Sequence, residues 1–326
     1  MSDAASLERT RPASRIPDLD ALYVESERIG VTPGWIKRDK PILYREPKSA
    51  FVPAIWRYQA IRHALDAAGE LIPVELAERR NLILRNPIPD NVFATSRTLV
   101  CAYQMILPGE HAPSHRHSSH ALRVILDSHG SYSVVNGEKT PMESGDVVLT
   151  PGWCWHGHGH DGDEPAYWLD GLDVPLTQLL ETMFFEEHPQ KFEPIKTVAQ
   201  TSPYRFTGDA MARELDRARP DPEGVHGPRI TLPAPEMALM GLTMERLSSG
   251  QKTRRQRSTA NRIFAVVEGA GETEIGGKRF TWQRGDTFVV PCWNAFTHKA
   301  SADTLLFGLS DEPLMRFSGY YRSEID

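Results

Sequence analysis

The sequence predicts a mainly β protein: two β-barrels of jelly-roll type behind a partly helical N-terminal segment. Three observations carry this reading. From Thr98 onward, short apolar runs alternate with Gly and Pro turns, the pattern of a barrel or sandwich. Asn136-Gly137 is a hairpin turn signal, because both positions accept positive φ. The whole pattern then recurs at an offset of about 140 residues, far longer than a solenoid repeat. Gly285-Asp-Thr-Phe-Val-Val-Pro291 repeats the spacing of Gly145-Asp-Val-Val-Leu-Thr-Pro151, and Arg262-Ile-Phe-Ala-Val-Val echoes Arg123-Val-Ile-Leu.

Taken in order, residues 1–90 form the N-terminal segment. Met1–Arg15 is polar and reads as a loose tail. Asp18 opens one helix, and a second runs from Ala54 to Ala68, stopped by Gly69 and Pro73. Residues 91–180 form the first barrel, with strands over Leu99–Leu107, Leu122–Leu126 and Ser131–Val135. Residues 181–228 connect, and their end, Arg217–Pro228, is rich in Pro and Gly. Residues 229–326 form the second barrel.

The chain has 326 residues, 40% hydrophobic and 25% charged, the composition of a globular protein with room for two domains. No apolar run approaches membrane-spanning length, and the N-terminus lacks the apolar core of a signal peptide. Cys101, Cys154 and Cys292 have neither metal-type spacing nor an even count, which fits a reducing cytoplasm. A net charge of −6 without a long basic run argues against a nucleic-acid partner.

Eight of the twelve histidines fall between His111 and His160. His115 and His117 are two apart, so a strand presents both on one face. His156 follows the Gly145-Asp146 turn, an apolar strand and Pro151, and returns on a neighbouring strand. These three imidazoles form a candidate metal set. Zn, Cu, Fe and Ni all accept imidazole, so the donors alone do not name the metal. Three protein ligands leave coordination positions open, which marks a reactive centre. The second barrel lacks the set. Gln256 and Ser258 stand at the places of His115 and His117, or Arg254 and Gln256 if a gap is allowed. Phe296 takes the place of His156, and His298 that of His158.

At these residues the chain resembles the cupin superfamily, whose motifs fit Gly109/His115/His117 and Gly145/Pro151/His156. The Glu that many cupins carry after His-x-His is missing from His120-Ala-Leu-Arg123. With Leu107-Pro-Gly-Glu110, Trp155-His-Gly-His-Gly159 and Trp168-Leu-Asp-Gly-Leu-Asp173, the chain is similar to the gentisate 1,2-dioxygenase family and its relatives acting on salicylates and 1-hydroxy-2-naphthoate. The resemblance covers roughly residues 75–310. It implies a bicupin holding Fe(2+) on His115, His117 and His156. The implied reaction opens a small aromatic hydroxy acid with O₂ between its carboxyl- and hydroxyl-bearing carbons. It also implies a cytoplasmic homotetramer, Arg123 as a carboxylate-binding residue, and His158, Asp170 and Gln104 as residues around the reacting ring. Arg79 is implied as a second carboxylate contact, with Arg80 competing for that place. Two departures concern the ring pocket: Val100 stands for a family Trp and Ala102 for a Gly. Losing the indole favours a bulkier acid, such as 5-nitrosalicylate, 5-aminosalicylate or 1-hydroxy-2-naphthoate. A rival class is a metal-bearing cupin that binds an aromatic acid without turnover.

Other features have plainer readings. His111, His120, His129 and His160 read as hydrogen-bonding support, and Trp153 and Trp155 as barrel-wall packing. Asp170 has a turn-capping alternative, and Lys252–Arg257 reads as a solvated or interface charge patch.

Overall fold

The structure is a computed structural model that describes residues 16–35, 42–77, 79–199 and 201–326. The tail expected over Met1–Arg15 lies outside the described residues. The chain divides into two compact units, Met1–Glu46 and Pro47–Asp326. In the first, the helix Leu19–Arg28 begins where Asp18 accepts the Ala21 amide at 2.8 Å.

The second unit holds both barrels, each made of two packed sheets. In the first barrel, Val100–Ile106, Ala121–Asp127, Val147–Thr150 and Ala166–Leu172 share one sheet. His111–His117, Ser131–Val135, Glu138–Met142 and His156–His160 share the other. The second barrel repeats the arrangement. Gly241–Leu247, Arg262–Glu268, Thr287–Val290 and Thr304–Ser310 lie opposite Gln256–Ser258, Ala270–Ile275, Lys278–Gln283 and Phe296–Ala300. Asn136 and Gly137 turn their hairpin with φ of 49° and 86°.

The largest apolar cluster lies between the barrels. It joins Leu122, Leu149 and Leu169 of the first to Ile263, Val289 and Leu309 of the second. The second barrel is filled by Phe264, Phe288, Phe296 and Trp282. The first barrel has a smaller inner cluster around Ile125, Met142 and Trp168. The rest of its interior is given to polar residues, including His156, His158 and Arg123, all buried.

Each barrel borrows an edge from a segment that precedes the other. Ala54–Trp56 was expected to be helical, but it pairs with Thr287–Val290 of the second barrel. The helix begins only at Tyr58 and runs to Leu71. Asp286 explains the boundary. Its Oδ1 accepts the Tyr58 amide at 3.0 Å, and its Oδ2 takes the Arg57 guanidinium at 2.8 Å. Gly69 does not stop this helix. A Cβ there would meet the Met105 methyl at 2.7 Å, so glycine serves close packing, and the helix ends before Pro73. The matching arm, Arg205–Phe206, pairs with Val147–Thr150 of the first barrel. There Asp146 accepts the Gly208 amide at 3.0 Å and Arg205 Nε at 2.7 Å, at the start of the helix Gly208–Arg217. Both carboxylates thus cap a helix and hold the arginine that precedes it. Residues 218–228 carry no regular element. The basic tract 252–257 is tied to the C-terminal strand of its own chain: Arg254 donates to the Asp326 carbonyl at 2.9 Å, and Arg257 pairs with Glu324 at 2.6 Å.

Asp286→Ala removes a buried, charge-assisted cap and its ion pair at once. It should lower stability by about 2–4 kcal/mol, read by scanning calorimetry. Asp146→Ala should behave alike, and a loss under about 0.5 kcal/mol in both, the level of an ordinary surface change, would show that the arms are not held this way.

Candidate metal centre

The antiparallel pairing of His111–His117 with His156–His160 sets His115 directly opposite His156. A register shift between Ala112 and His115, a stretch that contains Pro113, re-aims the strand. His117, two residues on, joins from the same face. Each of the three histidines offers one ring nitrogen, and these atoms all lie within 4.8 Å of one another. Two of the rings are oriented by their other nitrogen. His117 Nδ1 lies 2.8 Å from the Ser119 carbonyl, and His156 Nδ1 lies 3.0 Å from the Cys154 carbonyl. Donation from Nδ1–H leaves Nε2 as a lone-pair donor. Burial lowers the His115 pKa to about 2 and that of His117 to about 4, and holds His156 well below the ordinary value. Neutral, convergent imidazoles are what a divalent transition metal requires, so the donor set fits one.

The loops that deliver the ligands are stitched together by His120. Its Nδ1 accepts the Gly152 amide at 2.9 Å, while its own amide donates to Asp173 Oδ1 at 2.7 Å. Beside it, Trp153 N–H donates to the His117 carbonyl at 2.7 Å. Only glycine fits at 152, since a Cβ would meet the Ser118 carbonyl at 2.4 Å. The other histidines differ. His160 Nε2 lies 2.5 Å from the Glu164 carbonyl, and His111 packs edge-on to Tyr132. His129 is exposed and hydrogen-bonds through Nδ1 to Glu143 at 3.1 Å, away from the ligand loops. Trp153 and Trp155 do not pack in the barrel wall. They flank the Arg116 guanidinium, at 4.3 and 4.4 Å, because Trp153 takes φ +66° on the outer loop.

The cluster opens into a cavity of about 330 Å³. Arg79, Val100, Ala102, Gln104, Arg123 and Asp170 all line it with the three histidines. Arg79 and Arg80 separate because neighbours on a strand face opposite ways. Arg79 Nη1 reaches His115 Nδ1 at 2.9 Å, and its Nη2 donates to the Pro113 carbonyl. Arg80 turns away to Glu110, with two bonds of 2.5 and 2.6 Å. Arg123 and Asp170 are cross-strand partners, 3% and 6% exposed, with Nε and Oδ1 3.5 Å apart. Asp170 sits in mid-strand, which removes the turn-capping reading. Thr150 Oγ1 accepts Arg123 Nη1 at 2.7 Å, and Trp168 Nε1 donates to Asp170 at 3.1 Å. Burial raises the Asp170 pKa to about 6 against the lowering pull of Arg123, and burial also lowers that of Arg123.

His158 lies apart from this lining. It is buried beside Trp168, 5.4 Å between ring centroids, and neither ring nitrogen has a partner among the described residues. The sequence reading missed Asn81, Ile83, Phe93, Ala121, Leu172, Val174 and Gln178, which complete the cavity wall. Asn81 and Ile83 had one available signal, the alternation that places them on the face of Arg79.

Residues 102–172 match the Cupin domain family. The chain is 35% identical to gentisate 1,2 dioxygenase 1 of Aquipseudomonas alcaligenes, over 92% of this chain and 94% of that one. It is 32% identical to 5-aminosalicylate 1,2-dioxygenase of a Comamonas species, over 96% and 92%. Among solved structures it is similar to salicylate 1,2-dioxygenase of Pseudoaminobacter salicylatoxidans as adducts with gentisate. The TM-score is 0.85 and the identity 29%, covering 98% of this chain and 96% of that one.

Replacing His115, His117 or His156 by Ala should abolish metal retention, because a three-donor site has no spare ligand. His120→Leu should weaken retention about 10–100-fold, and His120→Asn, which restores an acceptor, should recover part of it. Chelator competition measures both. Retention equal to the parent in His120→Leu would show that the stitched loops do not set the ligand spacing.

Proposed function

The chain belongs to the gentisate 1,2-dioxygenase family, and from that premise we propose that this ring-cleaving dioxygenase uses Fe(2+) and O₂ to open gentisate or a salicylate-type acid. The carrying observation is that one cavity holds a three-imidazole cluster and a buried guanidinium, between walls that are otherwise largely apolar. His115, His117 and His156 would hold the metal. When bound, the metal supplies a Lewis-acidic, redox-capable centre that keeps the hydroxy acid and O₂ in contact.

The remaining work falls to side chains. Three neutral imidazoles bring no negative charge, so an anionic acid complements the site. Arg123 offers the planar fork that suits a carboxylate, and Thr150 and Asp170 limit its swing. Arg79 provides a second guanidinium at the cavity wall. Val100, Ala102 and Leu172 enclose the ring and exclude water. Gln104 supplies an amide for a ring substituent. His158, on the same strand face as His156, supplies a hydrogen-bond partner from behind the wall.

A second reading keeps the chemistry and enlarges the acid. Val100 lines the cavity, so the loss of an indole at this place leaves room for a 5-substituted salicylate or 1-hydroxy-2-naphthoate. We also place the protein in a reducing cytoplasm, since Cys101, Cys154 and Cys292 are all free thiols. Among the described residues no helix is long and apolar enough to cross a membrane. A homotetramer fits the exposed apolar side chains of Leu180, Phe184 and Phe185, and light scattering tests it.

The test is anaerobic loading with Fe(2+) and substrate, followed by O₂. Turnover should consume O₂ and give a ring-opened, strongly absorbing acid. Binding without either change would favour a non-catalytic cupin. Arg123→Ala should lower kcat/KM about tenfold to a thousandfold, and hydroquinone, which lacks the carboxylate, should be a poor substrate. Equal cleavage of hydroquinone and gentisate would remove the carboxylate clamp.

Val100→Trp should penalise 5-nitrosalicylate more than gentisate, by about 1–3 kcal/mol in transition-state binding. Equal losses of kcat/KM on the two acids would show that Val100 does not border the ring.

A further inference from the structure

The second barrel keeps a small polar cavity at the place where the first holds its metal cluster. Gln256 stands opposite Phe296, in the register of His115 and His156, so the ungapped alignment is the structural one and no imidazole set forms. The cavity measures about 20 Å³, enough for one water-sized occupant. Arg229, Arg262 and His298 line it.

These three groups bring hydrogen-bond donors that nothing in the chain satisfies. His298 is 1% exposed, boxed by Phe264, Phe288 and Phe296, and its Nε2 has no partner. Its proton can be placed. Thr273 Oγ1 accepts Trp282 Nε1 at 2.8 Å, and among the described residues the one acceptor within reach of its own hydrogen is His298 Nδ1, at 2.7 Å. Nδ1 is then the acceptor, and Nε2 carries the proton. Arg262 gives Nη2 to Glu312 at 2.6 Å, but its buried Nε has no partner. The Arg229 side chain makes no hydrogen bond or ion pair among the described residues, although the Glu245 carboxylate attracts its charge. The wall also carries acceptors, on Glu245, Thr243, Gln256 and Ser310. Glu245 takes the Gly227 amide at 2.9 Å and forms no ion pair with either arginine, and Thr243 Oγ1 donates to the Gly308 carbonyl at 3.4 Å. Buried donors without acceptors are costly, and arginine can only donate. A water has two lone pairs for three convergent donors and must turn both hydrogens towards the remaining wall oxygens. A halide brings only acceptor capacity, in one sphere.

We propose that the second barrel binds one small monovalent anion, of chloride size, between His298 Nε2–H, Arg262 Nε–H and the Arg229 guanidinium. The ion replaces the lost metal as the filler of the barrel and steadies that half of the chain.

The full-length protein tests this in two ways. Exchanging gluconate for chloride at constant ionic strength should raise the melting temperature saturably, by about 2 °C or more. Crystals grown in bromide should show an anomalous peak between the three side chains. Arg229→Met, at a half-buried wall position, should remove the peak and the chloride-specific rise while leaving first-barrel metal content unchanged. His298→Phe, which suits the surrounding phenylalanines, should do the same. No bromide peak in the parent protein, as with a cavity that holds only water, overturns the proposal. So does a chloride response that Arg229→Met keeps in full.

Discussion

One cross-strand register governs this molecule: His115 opposite His156. Side chains in a sheet alternate faces, so a slip of one residue would turn both imidazoles to the other side. Much of the first barrel pins that register. The shift before His115 spends one irregularity to bring it into line, His120 ties the two ligand loops, and Nδ1 contacts to backbone carbonyls fix two ring planes. The second barrel shows what the frame is without its donors. Gln256 and Phe296 keep the register, and Arg257 stacks on Trp293 as Arg116 stacks on Trp153. The frame therefore does not depend on the metal set, which is an addition to it.

The cavity also carries a cost that a purely structural barrel would avoid. Arg123 and Asp170 are both buried, and their closest contact is an ion pair at 3.5 Å that satisfies no hydrogen bond of Arg123 Nε. A buried pair of this kind repays its desolvation poorly. The second barrel has no such pair: its strand register puts Phe264, opposite Gly308, at the place of Arg123, and Arg262 at that of Ala121, so the sequence echo between the two arginines is out of step by two residues. Incomplete pairing of Arg123 leaves capacity for an incoming carboxylate, so the weakness of the pair and the recognition of an acid have one origin.

Much of this was legible locally. His-x-His on a strand, the Gly-Asp turn with its Pro, and the same spacing further along all follow from short-range chemistry. What was not legible depended on partners far away in sequence. Nothing in Ala54-Ile-Trp marks a strand rather than a helix, because the edge it completes is formed by Thr287–Val290. Arg79 and Arg80 were indistinguishable until the strand Arg80–Ile83 fixed which faces the histidines. The cavity wall at Phe93 and Gln178 comes from a loop and a helix with no motif.

The exchanged arms set an order of events during synthesis. A ribosome releases Ala54–Trp56 and the helix Tyr58–Leu71 early, yet the strand and the Asp286 cap that receive them emerge near the end. Until then an apolar edge and a helix start stand without partners, on a nascent chain whose first barrel is already able to close. The first barrel, by contrast, receives its arm at Arg205–Phe206 soon after its own strands are made. Vectorial synthesis thus makes every strand of the metal-binding half before the partner of the N-terminal arm, which stays an unpaired edge until the end of the chain emerges.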